Sequence, residues 1–470
     1  MKYFIPANLD IDRVLQEWPP TNIKSFKKEH LLYIIHLINW IPATNKGLET
    51  RSGYVPINSS LLQRKVRNYR AYFDYLLIHK IVESDNQYIM GKKSKGYRLV
   101  WTYCQAIKVV HGSDKVLQQS EKSENKLSVS VKRKFNHLLK WYNPDLQIDY
   151  DLAMEYVKED LHRKLSRPPL QRLRAKHSDK NPWQQYNCAV INIEKIASAA
   201  FSISIDSNVC RLHSVLSNMY SPIRNCLSFN GLDLVSIDIN NSQPYLSTIL
   251  LNPSFWVEDC NGVLGVMDVY PLYKKDIFSS SCSLLSSFIM LCKDVKTCNS
   301  SDLKLYIELV KSGNFYGYIE KEMLIGVNGK KAIKASVFQV LFTDNRYIGQ
   351  ADAEPKRLFK KHFPTVYKLF NLIKKHDKTN LPRLLQRIES YLVLQVVTKR
   401  IAREKSKLPI FTIHDSIITT KGNEGYVQMI LCEEMERAIG FAPKLSVEHW
   451  RPENLSLNEA LLYRNSPIAA

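Results

Sequence analysis

The chain has 470 residues, 45% hydrophobic and 24% charged, which excludes a disordered or low-complexity polypeptide and leaves length for more than one domain. Lysine and arginine outnumber aspartate and glutamate by 66 to 45, a formal net charge of +21 that answers either a polyanionic partner, nucleic acid first, or a solvated basic surface. The 9 cysteines include no C-x-x-C pair, which argues against a zinc ribbon or a disulfide frame and leaves reduced core thiols, Cys282, Cys292 and Cys298 among them.

At the N-terminus "MKYFIPANLDIDR" lacks a sustained apolar core, and "LLYIIHLINWI" is shorter than the roughly 20 residues a bilayer needs. The expectation is a soluble, intracellular protein with no membrane partner. "VPINSSLLQRKVRNYRAYFDYLLIHKIV" opens on a Ser59 or Ser60 helix cap and continues with apolar residues at helical spacing. "ESDNQYIMGKKSKGYRLVWTY" then reads as a β-hairpin whose tip holds Gly91 and Gly96. Helices followed by a basic wing predict a winged-helix-like module over residues 1–110; Lys92, Lys93 and Lys95 either touch phosphates or form a solvated turn. Residues 111–130 are polar and aperiodic, as a linker is. Residues 131–204 are mostly helical, broken by "HRKLSRPPLQRLRAKH", where Pro168 and Pro169 preclude one long helix. This is the densest basic run, and Arg172, Arg174 and Lys176 are its candidate backbone clamp, with a solvated surface as the alternative. No fixed-period repeat is visible.

In "LVSIDINNSQPYLS" the apolar run holding Val235 and Ile237 ends on Asp238, and in "IFTIHDSIIT" a β-branched run is broken by His414 and Asp415. A carboxylate at the end of a buried strand is costly unless a cation neutralises it. Two of them on neighbouring strands make hard oxygen ligands for Mg²⁺; the alternative is that both merely cap strand-to-turn transitions. In "GKKAIKASVFQVLFTDNRYIG", Lys330, Lys334, Phe338 and Phe342 recur every four residues on a helix that Asn328 and Gly329 introduce. A face cationic at its start and aromatic further along has the polarity of a nucleoside triphosphate, though an amphipathic core helix with solvated lysines has the same spacing. Tyr306, Phe315 and Tyr316 read as core.

Together these three segments resemble the family A DNA polymerases and the single-subunit RNA polymerases. Asp238 with Ser242 and Gln243 is similar to the first carboxylate motif D-x-S-Q-x-E. Lys330, Lys334, Phe338 and Phe342 are similar to the fingers pattern R-x3-K-x3-[FY]-x3-[YF], and His414-Asp415-Ser416 to the last motif, H-D-E or H-D-S. "CRLHS" resembles G-R-L-S-S at Arg211, while Arg224 and Gln386 stand where the family has an arginine before the first motif and a glutamine before the last. The resemblance covers roughly residues 205–450, in the family's order.

The resemblance implies an α+β, multidomain right-hand polymerase: a palm on an antiparallel sheet over 205–260 and 381–470, helical fingers over 261–380, and a thumb-like region over 131–204. It implies that Asp238 and Asp415 bind two Mg²⁺ ions, with Mn²⁺ as a substitute, that Lys330 and Lys334 hold the triphosphate, and that Phe338, Phe342 and Gln243 lie at the nucleotide. His414, Arg211, Arg224 and Gln386 would contact a DNA primer-template. Tyr245 stands where DNA polymerases place a ribose-excluding glutamate, which favours dNTPs.

Two extra residues lengthen the first motif, and a lysine replaces the family's first fingers arginine, which loses a bidentate grip on phosphate. No D-x-E on an apolar strand occurs upstream, so no proofreading exonuclease is expected. The N-terminal module is then an accessory for DNA or a replication partner, in a bacterial, phage or mobile-element setting. Ribonucleotide synthesis by an RNA polymerase or primase, and a non-catalytic DNA-binding replication factor, are the alternatives.

Overall fold

The computed structural model describes the chain except for residues 46–47, 49–52, 92, 116, 119–126, 167–180, 257–263, 270–299, 324–329, 376 and 456–470. It is a mixed helical and antiparallel-sheet protein that divides into two compact units. The first comprises Met1–Ser204, His213–Leu234 and the residues from Trp450; the second comprises Ile205–Leu212 and Val235–His449.

The first unit opens with β1 (Lys2–Pro6), α1 (Lys28–Thr44), β2 (Val55–Pro56), α2 (Ser59–Lys65), α3 (Tyr69–Ile78), β3 (Val82–Ser84), β4 (Gly96–Leu99) and β5 (Ile107–His111). β1 pairs antiparallel with β5, while β2, β4 and β3 form a three-stranded sheet in that order. Buried Leu31, Ile34 and Ile35 of α1 pack with Leu62, Phe73, Leu76 and Val82, and Phe73 stacks on Tyr97 with ring centroids 3.8 Å apart. The α2 cap is Asn58 rather than Ser59 or Ser60: its side chain accepts from Ser60 N at 3.0 Å and Leu61 N at 3.2 Å. Asn58 reaches the N2 and N3 amides that helix geometry leaves open.

The hairpin tip between β3 and β4 ties its described lysines to neighbouring side chains. Lys93 is tied to Asp85 at 3.1 Å, and Lys95 lies over the Tyr97 ring at 5.8 Å, so these two ammonium groups have intramolecular partners; Lys92 lies outside the described residues. A Cβ at Gly96 would stand 2.7 Å from an Asp85 carboxylate oxygen and 3.0 Å from Tyr54 Cβ, so any side chain there would have to displace Asp85.

His36 is on the buried face of α1, where its Nδ1 accepts from the backbone amide of Phe4 at 3.1 Å. Burial, reinforced by the charges of Lys195 and Lys65, pulls its pKa down to about 3 from 6.5. The folded state therefore resists a proton that the unfolded chain accepts, and His36 costs stability as pH falls from about 6.5 toward 3. His36→Gln keeps an acceptor for Phe4 and should flatten that limb, measured as the change in urea midpoint between neutral and acidic buffer.

After β5 come β6 (Leu146–Ile148), α4 (Tyr150–Leu165), α5 (Pro182–Ala197) and β7 (Leu227–Phe229), with β6 antiparallel to β7. At the start of the basic run, Arg163 and Lys164 sit in the last turn of α4 and pair with Asp160 at 3.5 and 2.6 Å. Arg172, Arg174 and Lys176 lie outside the described residues.

The chain enters the second unit within β8 (Leu232–Ile239), followed by α6 (Ser242–Ser247), α7 (Ser301–Ser312), α8 (Lys330–Phe342), α9 (Pro364–Lys374), α10 (Asn380–Tyr391), β9 (Ile410–Ile413), β10 (Ser416–Thr420), α11 (Glu424–Ile439) and β11 (Leu445–Trp450). β9 and β10 are an antiparallel hairpin; β10 pairs with β8, and β11 also pairs with β8. Val235, Ser236 and Ile237 are buried in succession, as in a strand covered on both faces. The helices share an aromatic core in which Tyr306 meets Phe315 at 5.2 Å and Phe363 at 5.5 Å, and its hydroxyl bonds Ser247 at 2.8 Å. Tyr306 and Phe315 are thus core and Tyr316 is half-buried, whereas Cys282, Cys292 and Cys298 lie outside the described residues. Among the described residues no helix is long and apolar enough to cross a membrane.

Candidate active site

The β9–β10 register pairs Ile413 with Ser416, which leaves His414 and Asp415 as a two-residue hairpin turn. Such turns need positive φ at the first position, and His414 supplies it at 56°. The break in the β-branched run is therefore the turn itself. Asp238 is the penultimate residue of β8, the strand beside β10. The two additional residues of the first motif, Asn240 and Asn241, turn the chain into α6: Asn240 N donates to Lys444 O at 2.8 Å, and Asn241 takes the left-handed conformation at φ 55° that asparagine tolerates.

The two aspartates form one electrostatic unit. Burial raises the Asp238 pKa, the charge of Asp415 raises it further, and a hydrogen bond from Ser416 and the charge of Lys334 oppose them. Ser416 Oγ donates to Asp238 Oδ1 at 2.6 Å and fixes that carboxylate. Glu448, exposed on β11, adds a third negative charge to the field at Asp238. Among the described residues no three His, Cys, Asp or Glu side chains close into a metal cage. The donor set is instead one carboxylate on a strand and one in the adjoining hairpin turn, whose repulsion a divalent cation relieves; hard carboxylate oxygens fit Mg²⁺.

On α8, Ile333, Val337, Val340 and Leu341 are buried, while Lys334 is exposed and Phe338 and Phe342 are only half-buried. The lysine and phenylalanine face is thus the outward one, not the core stripe. Lys334 Nζ stands 5.5 Å from the centre of the Phe338 ring, and the rings of Phe338 and Phe342 are 5.2 Å apart. The side chain of Lys330 and residues Asn328 and Gly329 lie outside the described set. Buried Lys374 on α9 donates to Val340 O at 2.6 Å and Thr343 O at 3.3 Å, capping carbonyls at the C-terminal end of α8.

Glu389 on α10 is 1% exposed and receives two hydrogen bonds from Arg211, at 2.9 and 2.7 Å, and a third from Gln243 Nε2 at 2.7 Å. Burial pushes its pKa up to about 7 against the Arg211 charge, and Asp415 adds to the rise. Sequence reading picked Arg211 and Gln243 but missed the acid that joins them; Gln386, its choice on this helix, is half-buried one turn earlier. Arg224 belongs to the first unit, where it donates to Leu216 O at 3.2 Å and lies 5.8 Å from the Trp450 ring. Tyr245, read as the ribose-excluding residue, is 2% exposed; its hydroxyl donates to Phe441 O at 2.7 Å and its ring packs edge-on against Phe441.

No protein-family model matches this sequence. No curated protein matches it. Among solved structures it is similar to the POL domain of Pol1 from M. smegmatis in complex with DNA primer-template and dNTP, at 12% identity and a TM-score of 0.32, over 72% of this chain and 73% of that one. A likeness that loose carries no argument about chemistry, which rests on the side chains above.

Proposed function

We propose that the protein is a template-directed DNA polymerase that extends a primer 3′ end with dNTPs. The observation that carries the reading is the placement of Asp238 near the end of β8 and of Asp415 in the turn that leads into the neighbouring strand β10, with Ser416 of that strand bonded to Asp238 at 2.6 Å. It is supported by the order of the three motifs that resemble family A polymerases. Divalent cations held by the two aspartates would lower the pKa of the attacking hydroxyl and neutralise charge at the transferred phosphoryl group. Ser416 keeps Asp238 oriented, and Lys334 at the exposed face of α8 takes the triphosphate, with Phe338 and Phe342 beyond it for sugar and base. His414, in the same turn as Asp415, would contact the reacting end of the primer. The winged-helix-like module and the basic run are assigned to DNA or a replication partner, an assignment the +21 net charge favours.

A second reading, ribonucleotide addition by an RNA polymerase or primase, gains from one observation: the ring assigned to exclude ribose is committed to Phe441. Extension of a labelled primer with dNTPs and with rNTPs, each complementary or mismatched to the template, separates the two. Untemplated addition would remove both. Lys334→Ala should lower kcat/KM for the nucleotide by about a hundredfold and leave DNA affinity unchanged; an equal loss in DNA affinity would place Lys334 on the duplex instead.

A further inference from the structure

We propose that Gln243, oriented by the Arg211–Glu389 ion pair, accepts a hydrogen bond from the sugar 3′-hydroxyl of the incoming nucleotide. The inference rests on the nucleotidyl-transfer reading and names one contact within it. Gln243 is 7% exposed, and its Nε2 donates to Glu389 Oε2 at 2.7 Å. Above its pKa of about 7 Glu389 is ionised, and a carboxylate gripped by two arginine donors offers Gln243 acceptors only, so in that form it settles which end of the amide faces it. The nitrogen turns toward Glu389, and the oxygen becomes the free end. That oxygen, Oε1, is buried and has no hydrogen-bond partner among the described residues. A buried acceptor without a donor is destabilising, and a ligand hydroxyl removes the deficit.

The donor can be identified by chemistry. Phosphate oxygens only accept, and base amino groups differ among the four nucleotides. A sugar hydroxyl is the donor that any template-directed enzyme meets on every substrate, and in a dNTP the only one is at the 3′ position. Gln243 is the second residue of the helix that follows Asp238, and the charge of Asp415 acts on Glu389, so the amide network and the carboxylate pair share one neighbourhood. Glu389 and Arg211 are positioning residues here, because they act through Gln243.

The test is single-turnover addition of dCTP, ddCTP and CTP opposite a template G by the full chain and by Gln243→Met and Glu389→Gln. The first variant keeps length without the acceptor; the second keeps shape but no longer dictates the amide orientation, and it stands in should the first fail to fold. The wild type should prefer dCTP over ddCTP by about tenfold or more, and both variants should bring that ratio near one by losing dCTP efficiency alone. Equal losses for dCTP and ddCTP would mean a structural role and overturn the proposal. A change confined to CTP relative to dCTP would overturn it in favour of the 2′-hydroxyl. A wild type that binds DNA but adds no nucleotide would sink the polymerase reading itself, whereas an active wild type with unmoved ratios in both variants sinks only this contact.

Discussion

Asp238→Asn and Asp415→Asn are each expected to lower nucleotide addition by at least about a thousandfold while leaving DNA binding intact. The same substitutions should raise the melting temperature of the protein kept free of divalent cations. The two effects share one cause. In the folded chain Asp238 is partly buried beside Asp415, and both conditions disfavour its charged form. A carboxylate whose pKa is raised on folding is less stable ionised there than in the unfolded chain, so removing the charge relieves the fold at neutral pH. Added Mg²⁺ should stabilise the wild type and not the variants, which separates loss of a ligand from loss of structure. A variant less stable than the wild type without metal would show that Asp238 is held by donors as an ordinary cap, and the site would lose its electrostatic basis.

Glu389→Ala should destabilise the protein by about 3 kcal/mol, because it strands the Arg211 guanidinium in a largely buried position and frees Gln243 at the same stroke. Replacing both partners, as in Arg211→Met with Glu389→Leu, should recover much of the loss, since no uncompensated charge remains. The pH dependence has the opposite sign to that of a paired surface carboxylate. Burial lifts the Glu389 pKa to about 7 from 4.5, so between those values the folded state holds a proton that the unfolded chain has released. Stability contributed by this group is therefore present below pH 4.5 and lost as pH rises through about 7. Denaturant midpoints across that window should fall more steeply in the wild type than in Glu389→Gln; parallel slopes would mean that Arg211 keeps Glu389 ionised throughout.

The carboxylate pair was legible in the sequence because each aspartate interrupts a strand-forming run, a local conflict that periodicity exposes. The outward face of α8 was legible in spacing, but spacing alone left it indistinguishable from a core stripe; Ile333, Val337, Val340 and Leu341 on the other side decide the matter. Glu389 was missed although a signal existed. It follows Leu385 and Ile388 on the buried face of α10, where an acid requires a partner, but that partner is Arg211, 178 residues earlier. The same holds for Lys374, whose acceptors at the end of α8 are remote in sequence, and for Tyr245, whose bulk suggested a gate but whose hydroxyl is claimed by Phe441 across 196 residues. Local conflicts can be read from one chain; the group that resolves each is a tertiary fact.

The most direct measurement is addition of one complementary dNTP to a labelled primer on a DNA template in Mg²⁺, comparing the full chain with Asp415→Asn at matched DNA occupancy. The wild type should yield a primer one nucleotide longer, dependent on Mg²⁺ and on the template base, and the variant none. Addition by Asp415→Asn at the wild-type rate would mean that the turn between β9 and β10 holds no part of the chemistry and would overturn the assignment of the carboxylate pair.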